Sequence, residues 1–423
     1  MAKQRKIPLE LYIHIPFCAR KCFYCDFLSF RTLAKTHEAY IRQLLREIRA
    51  LAPSCRDYQA VTIFVGGGTP SVLEPELICQ VMEAVCRNFD VAPEAEISIE
   101  VNPGTLLHNK LALYRQAGFN RVSIGLQSAD NEELRNLGRI HSFEEFLKSF
   151  QSARMAGFQN INVDLMSGIP GQTMESWKNT LKKVTMLKPE HISSYSLIIE
   201  EGTPYWDRYG NGGNRDKEKE KRERTQIPEK EDLGLIAEPA ELGKRSLPPL
   251  PDEDTENKMY HLTRQFLKEQ GFVRYEVSNY ARPGFECRHN VGYWTGTEYL
   301  GLGLGSSSYM AGYRFCNERG LERYLNLDFE GADWQECLHP QIQRLTRQDK
   351  MEEFMFLGLR MTKGISEIDF VSAFGVKLES VYGKVISQLI ANGLLKREGT
   401  RLALTEWGMD VSNFVLSEFL LGD

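Results

Sequence analysis

No stretch of the 423-residue sequence approaches the ~18 uninterrupted apolar residues of a membrane-spanning helix. A secretory signal is not legible either: the basic residues at 1–6 run into Pro8 and Glu10, which break up any apolar core. No one sign of charge is in large excess. The formal net charge of −5 and pI near 6 argue against a dedicated nucleic-acid binder, which carries a basic face. Cysteine is sparse and odd in number, nine in all, and those at 55, 79, 86, 287, 316 and 337 are scattered. No second Cys-x2-Cys pair exists, so neither a disulfide framework nor a paired-cysteine zinc site fits the pattern. These absences lead to the expectation of a cytoplasmic protein whose thiols are reduced.

What is present is a repeated rhythm. Apolar, β-branched runs begin at 11-LYIHIPF, 61-VTIFVGGG, 96-EISIEVNPG, 121-RVSIGLQS, 161-INVDLMSGIPG and 191-HISSYSLIIEEGTP, with helical spacing between them. Strands alternating with helices predict a parallel sheet of βαβ units. Six units give an α/β fold, a partial (β/α)6 barrel rather than a closed eight-stranded one, over residues 1–210. Residues 211–249 break the rhythm with "NRDKEKEKRER" and "SLPPLP", and are expected to form a charged, disordered insertion. Residues 250–345 extend the core. Their "YLGLGLGSSSYM" is no dinucleotide fingerprint, because its glycines are misspaced and no βαβ unit follows. Residues 346–423 read as helices followed by two short strands, a C-terminal α+β winged-helix-like domain. It lacks a dense basic face, so docking or structural work is expected of it rather than DNA binding.

The segment 13-IHIPFCARKCFYCDFLSF places Cys18, Cys22 and Cys25 directly after the first strand, spaced Cys-x3-Cys-x2-Cys. Three thiolates on one short loop can hold three irons of a [4Fe–4S] cubane and leave the fourth iron open to a small ligand. The remaining polar candidates recur at the C-terminal ends of successive strands, where parallel α/β barrels place their sites.

"FCARKCFYC" resembles the cluster loop of the radical S-adenosylmethionine (SAM) superfamily. The resemblance implies that Cys18, Cys22 and Cys25 carry a [4Fe–4S] cluster whose open iron chelates SAM. It also implies cleavage of SAM to a 5′-deoxyadenosyl radical, with electrons from a donor such as a flavodoxin. By the same resemblance the SAM contacts are Tyr12 in "LYIHIPFC", Gly67, Gly68 and Thr69 in "FVGGGTPS", and Glu100 in "SIEVNPGT". Gln127 in "SIGLQS", Arg139 in "LGRIHS" and Asp164 in "NVDLMSGIPGQ" complete the set. Residue chemistry is compatible, since carboxylates accept from hydroxyls and ammonium, and Arg pairs with a carboxylate.

"LYIHIPFC", "GGGTP", "EVNPGT" and "GLQS" further resemble the coproporphyrinogen-oxidase-like branch, over most of residues 10–420 apart from the insertion. That branch holds an oxygen-independent coproporphyrinogen III dehydrogenase type and a haem-chaperone type. The dehydrogenase pattern has a fourth cysteine two after the third, where this chain has Phe27. The chaperone pattern His-Asn-x-x-Tyr-Trp is matched by "HNVGYW" at 289–294. The resemblance therefore implies haem bound near His289 and passed to acceptor apoproteins, without nucleic acid. Assembly as a monomer or homodimer is expected, with any membrane contact peripheral and through partners. Two departures stand out: Gly305 to Ser308 hold no histidine, which removes one second iron ligand, and Cys287 lies two before His289, where its sulfur could ligate haem or stay idle.

Overall fold

The computed structural model describes residues 6–105, 108–210, 235 and 247–422. The core runs β1 (Ile7–Ile15), α1 (Ala34–Leu51), β2 (Tyr58–Gly67), α2 (Pro75–Asn88), β3 (Val91–Val101), α3 (His108–Gln116) and β4 (Arg121–Gln127). It continues through α4 (Asn131–Asn136), α5 (Phe143–Met155), β5 (Ile161–Ser167), α6 (Met174–Met186), β6 (His191–Ser196) and α7 (Pro204–Tyr209). Strands β1 to β6 lie side by side, all parallel, as an open sheet with no barrel closure.

The sheet is wider than the six strands expected. After α8 (Glu253–Glu269), β7 (Val273–Arg274) and β8 (Asn279–Ala281) add antiparallel to β6. After α9 (Arg288–Thr295), β9 (Glu298–Leu302) adds parallel to β1, so the glycine-rich segment extends the sheet. Antiparallel β10 (Ser307–Met310), β11 (Tyr313–Cys316) and β12 (Gln341–Arg344) continue outward, giving twelve strands in all, with α10 (Leu321–Leu325) and α11 (Trp334–Leu338) between β11 and β12.

Period-two alternation explains why these strands stand where they do. One face of the sheet presents Leu11, Ile13, Ile63, Val65, Ile99, Val122, Ile124, Val163 and Leu165, all fully buried in one core with the flanking helices. Each such side chain stabilises the fold by about 1.5–3 kcal/mol relative to exposure. The other face is polar yet buried: Glu10, Thr62, Glu96, Ser98, Arg121, Ser123, Asn162, His191 and Ser193. Their register stacks them into layers, with Glu10 beside Thr62 beside Glu96, and Glu100 beside Ser123 beside Asn162 beside His191.

The C-terminal module comprises α12 (Arg347–Gly358), β13 (Ile365–Ser366), α13 (Glu367–Phe374), α14 (Leu378–Ala391), β14 (Leu395–Glu398), β15 (Arg401–Leu404), α15 (Glu406–Asp410) and α16 (Ser412–Ser417). It has its own core around Met355, Phe370, Tyr382, Ile386 and Phe419. Thr362 N–H donates to Tyr275 O at 3.0 Å, and Arg264 pairs with Glu406 at 3.1 Å, tying module to core. Most of the expected insertion (211–234 and 236–246) lies outside the described residues. Its C-terminal edge is ordered, a correction to the expected disorder through 249. Leu247 is buried against Phe23 and Leu137, and Pro249 O accepts from Gly171 N–H at 2.9 Å. Leu235 bridges Thr32.

Across the middle of the polar sheet face, α9 presses Gly292 onto Glu10, where an added Cβ would fall 1.8 Å from Oε1. One oxygen of Glu10 is buried without a hydrogen-bond partner. Burial, then the nearby Glu96, pushes Glu10 up to about 9, against 4.5 for an ordinary glutamate. The unfolded chain therefore releases this proton before the folded one does, so its contribution is fully present below pH 4.5 and lost as pH rises toward 9. Glu10→Gln removes that loss. Urea denaturation of both proteins from pH 5 to 8 is expected to show the variant gaining on the parent by about 1 kcal/mol per pH unit.

Candidate functional site

The cysteine loop leaves β1 at Ile15 and is held by backbone bonds from Cys18 N–H to Phe30 O and from Phe30 N–H to Pro16 O, at 3.0 and 2.8 Å. Cys18, Cys22 and Cys25 are all free and half-buried. The thiols line the loop rather than converge on one atom: among the described residues no three Cys, His, Asp or Glu are set to hold a single ion. Burial raises Cys18 above the ordinary thiol range and pushes Cys25 up to about 11. Alone, both stay protonated at neutral pH. Bound cations reverse that preference, because a coordinating thiol is deprotonated outright. Three soft donors that become thiolates only when iron arrives fit a [4Fe–4S] group. Phe27, at the fourth-cysteine position, is 70% exposed and turned away from the core.

Arg139 binds the loop to the sheet. Its Nη1–H donates to Cys22 Sγ at 3.6 Å and its Nη2–H to Asn102 Oδ1 at 2.7 Å. Asn102 Nδ2–H donates to Thr69 Oγ1 at 2.9 Å, and Thr69 Oγ1 lies 3.6 Å from Cys18 Sγ. Gly125 makes this convergence feasible: a Cβ there would meet Asn102, Arg139 and Gln127 at 3.0–3.3 Å. Gln127 adopts φ +74°, a strained left-handed conformation for a non-glycine residue, of the kind that clusters at functional sites.

The glycine segment closes on the next strands. Gly67 N–H donates to Glu100 Oε2 at 3.1 Å, and Gly68 and Thr69 N–H donate to Ile15 and Phe17 carbonyls at 2.9 and 2.7 Å. Burial, then Asp164, pushes Glu100 up to about 7, and burial raises Asp164 also. Asp164 accepts from Ser123 Oγ–H at 3.0 Å and from Asn162 Nδ2–H at 2.7 Å. Two neighbouring carboxylates of this kind have the chemistry to accept from a cationic or hydroxyl-bearing group. Tyr12 donates to His14 Nδ1 at 3.0 Å, a direction set by His14 Nε2–H, which must donate to Leu28 O at 2.9 Å. Thus the cysteines, Gly67, Gly68, Thr69, Glu100 and Gln127 lie at or just beyond the C-terminal ends of β1 to β4, whereas Tyr12 and Asp164 stand within β1 and β5 and Arg139 reaches back from the turn after α4.

His289 does not join them. It lies on α9, packed against the middle of β2, 2% exposed and stacked on Phe64 with ring centroids 5.1 Å apart, and Phe64 in turn stacks on Tyr12 at 6.4 Å. Nδ1 is hydrogen-bonded to Thr62 Oγ1 at 2.7 Å and Nε2 to Tyr293 Oη at 3.0 Å. Burial, then Arg121, drives its pKa down to about 3, so the ring is neutral, and both nitrogens are engaged within the protein. Cys287 is fully buried, donates toward Glu96 Oε1 at 3.5 Å and is pushed up to about 12 by burial. Glu96 caps α9, accepting from Arg288 N–H at 3.1 Å and His289 N–H at 3.2 Å. Asn102, Glu96 and Arg121 are functional neighbours that sequence reasoning passed over. Asn102 stands inside the quoted "EVNPG", but its link to Arg139 is tertiary.

Comparison with known proteins agrees with this architecture. The chain matches the radical SAM superfamily over residues 12–184 and the HemN C-terminal domain over residues 345–411. The solved coproporphyrinogen III oxidase HemN from Escherichia coli superposes with TM-score 0.78 at 24% identity, covering 99% of this chain and 91% of that one, so the fold is shared. The fold and loop are thus those of a radical SAM protein, a class that implies a [4Fe–4S] cluster and SAM. The heme chaperone HemW of Lactococcus lactis is 33% identical over 98% of both chains, and that of Bacillus subtilis 32% over 97% of this chain and 98% of its own. The mitochondrial radical SAM domain-containing protein 1 of Danio rerio is 29% identical over 89% of this chain and 79% of its own. The chain belongs to the HemW family of heme chaperones. Among the described residues no helix is long and apolar enough to cross a membrane.

Gly67 has φ +110°, and a Cβ there would fall 2.4 Å from the His14 ring. Gly67→Ala is expected to cost about 2 kcal/mol or more of unfolding free energy and to lower iron uptake on anaerobic reconstitution. Iron content equal to the parent's would show that the His14 contact does not govern the loop.

Proposed function

We propose that this protein binds haem and hands it to acceptor apoproteins in the cytoplasm, while a SAM-liganded [4Fe–4S] cluster sits on the cysteine loop beyond β1. Cys18, Cys22 and Cys25 would hold the cluster. Tyr12, Gly67, Gly68, Thr69, Glu100, Gln127, Arg139 and Asp164 would meet SAM. When bound, the cluster supplies a single electron and an open iron for SAM. The chain's own residues orient and shield: Arg139 holds Cys22, Glu100 and Asp164 present carboxylates, and the glycine segment brings backbone close to the ligand. An electron donor such as a flavodoxin, and a monomer or homodimer, complete the reading.

The observation that carries it is the full-length likeness to heme chaperones, joined to an HN-x-x-Y-W helix built into the sheet by Glu96. His289 contributes by fixing that helix. As an iron ligand it would first have to release Thr62 or Tyr293. Oxidative decarboxylation of coproporphyrinogen is the second reading, favoured by the shared fold and opposed by Phe27 in place of a fourth cysteine.

The test is haemin titration of anaerobically reconstituted protein, followed through the Soret band. About one haem per chain and about four irons and sulfides are expected, followed by haem transfer to an apoprotein. Cys22→Ala should lose the cluster and keep haem. His289→Ala should keep the cluster and weaken haem. No saturable haem binding, with decarboxylated product formed from coproporphyrinogen and SAM, would overturn the proposal in favour of the second reading.

A further inference from the structure

We propose that the haem lies in the cleft between α9 and the C-terminal module, its ring against Trp294 and Phe354 and its carboxylates on Lys350, Lys363 and Arg401. This rests on the haem-binding reading above and moves the macrocycle off the His289 imidazole.

The cleft is a cavity of about 520 Å³, with Trp294 on the core side and Phe354, Leu357, Ile365 and Phe374 on the module side. That volume is ordinary for a small-molecule pocket, which combines apolar walls with a few placed polar groups. A second cavity of about 650 Å³ adjoins it and shares Thr295, Met361 and Lys363 with it. The two together form a trough along the side of the HN-x-x-Y-W helix, lined by Thr62, the partner of His289, but not by His289 itself.

The charges suit a flat apolar body with anionic edges. Lys350, Lys363 and Arg401 line the first cavity, and among the described residues none forms an ion pair with a carboxylate. Of the two acidic residues lining it, Glu353 is already paired with Arg314 at 2.9 Å, which leaves Asp369. Trp294 Nε1–H is buried without an acceptor. Arg360 covers one face of the indole at 4.4 Å. Three cations without a carboxylate partner among the described residues, beside an aromatic wall, call for carboxylate oxygens. Neither cavity is lined by His or Cys. Met361, nearly buried where the two meet, offers a thioether, a known haem-iron donor.

The experiment uses the full chain and two variants. Lys350→Glu/Arg401→Glu changes only half-buried or exposed side chains, and Ala373→Trp fills the cleft from an exposed position. Thermal unfolding confirms that each variant folds. Each protein is titrated with haemin and with haemin dimethyl ester, which keeps the ring and iron but lacks carboxylates. The charge-reversed variant is expected to bind haemin about ten- to a hundredfold more weakly than the parent, with the ester little affected. Ala373→Trp should weaken both ligands. Parental haemin affinity in either folded variant overturns the cleft while leaving haem binding intact. Absence of haemin binding in the parent itself would instead remove the chaperone reading on which the cleft rests.

Discussion

The structure depends on a sheet face that is buried and polar at once. Arg121 stands at its centre, 2% exposed, interacting with Glu96 toward one end and Asp164 toward the other. A guanidinium taken out of water is costly unless carboxylates answer it, and removing either side strands the other. The same cation stabilises the charged form of Glu100 and opposes protonation of His289. The cofactor end and the haem-motif end therefore share one buried charge.

Around that charge the hydrogen bonds run sideways from strand to strand. Asn162 donates to Ser123 at 2.7 Å and is bonded to His191 Nδ1 at 2.6 Å, and His191 Nε2 meets Tyr275 Oη at 2.9 Å. A polar layer cross-linked in this way specifies register more sharply than an apolar fill, which tolerates sliding and repacking, even though Glu10, Ser98 and Arg121 each keep one unpartnered atom. It also leaves the strand ends open for ligands, since nothing bulky crosses the sheet there. Glycines at 66, 67, 68 and 125 keep that space clear, each standing where a Cβ would strike a functional neighbour or the backbone.

Much of this was legible from residue order alone. The six parallel strands announce themselves by β-branched runs ending in glycine or polar turns, and the thiol loop by its spacing. The glycine-rich 299–310 segment was not legible as an extension of the sheet. Its strands are short, and their partners are β1, far earlier in the chain, and one another. The position of His289 escaped for another reason. A motif tells which side chains sit together, whereas its burial comes from Glu96, Phe64 and Thr62, which are distant in sequence. The ordered Leu247 to Pro249 were hidden by charged neighbours that dominate the composition of the segment.

Strand β3 carries Glu96 and Glu100 on one face, four residues apart, the first capping α9 and the second meeting the glycine segment. An extended chain rises about 3.3 Å per residue, so the α9 contact and the glycine-segment contact are separated by a ruler of about 13 Å cut into a single strand. Loops in this protein can lengthen without disturbing it. One residue gained or lost between those glutamates would turn one of them into the apolar layer among the helices. The tolerance of this chain to insertion and deletion is therefore expected to be uneven, and lowest within β3.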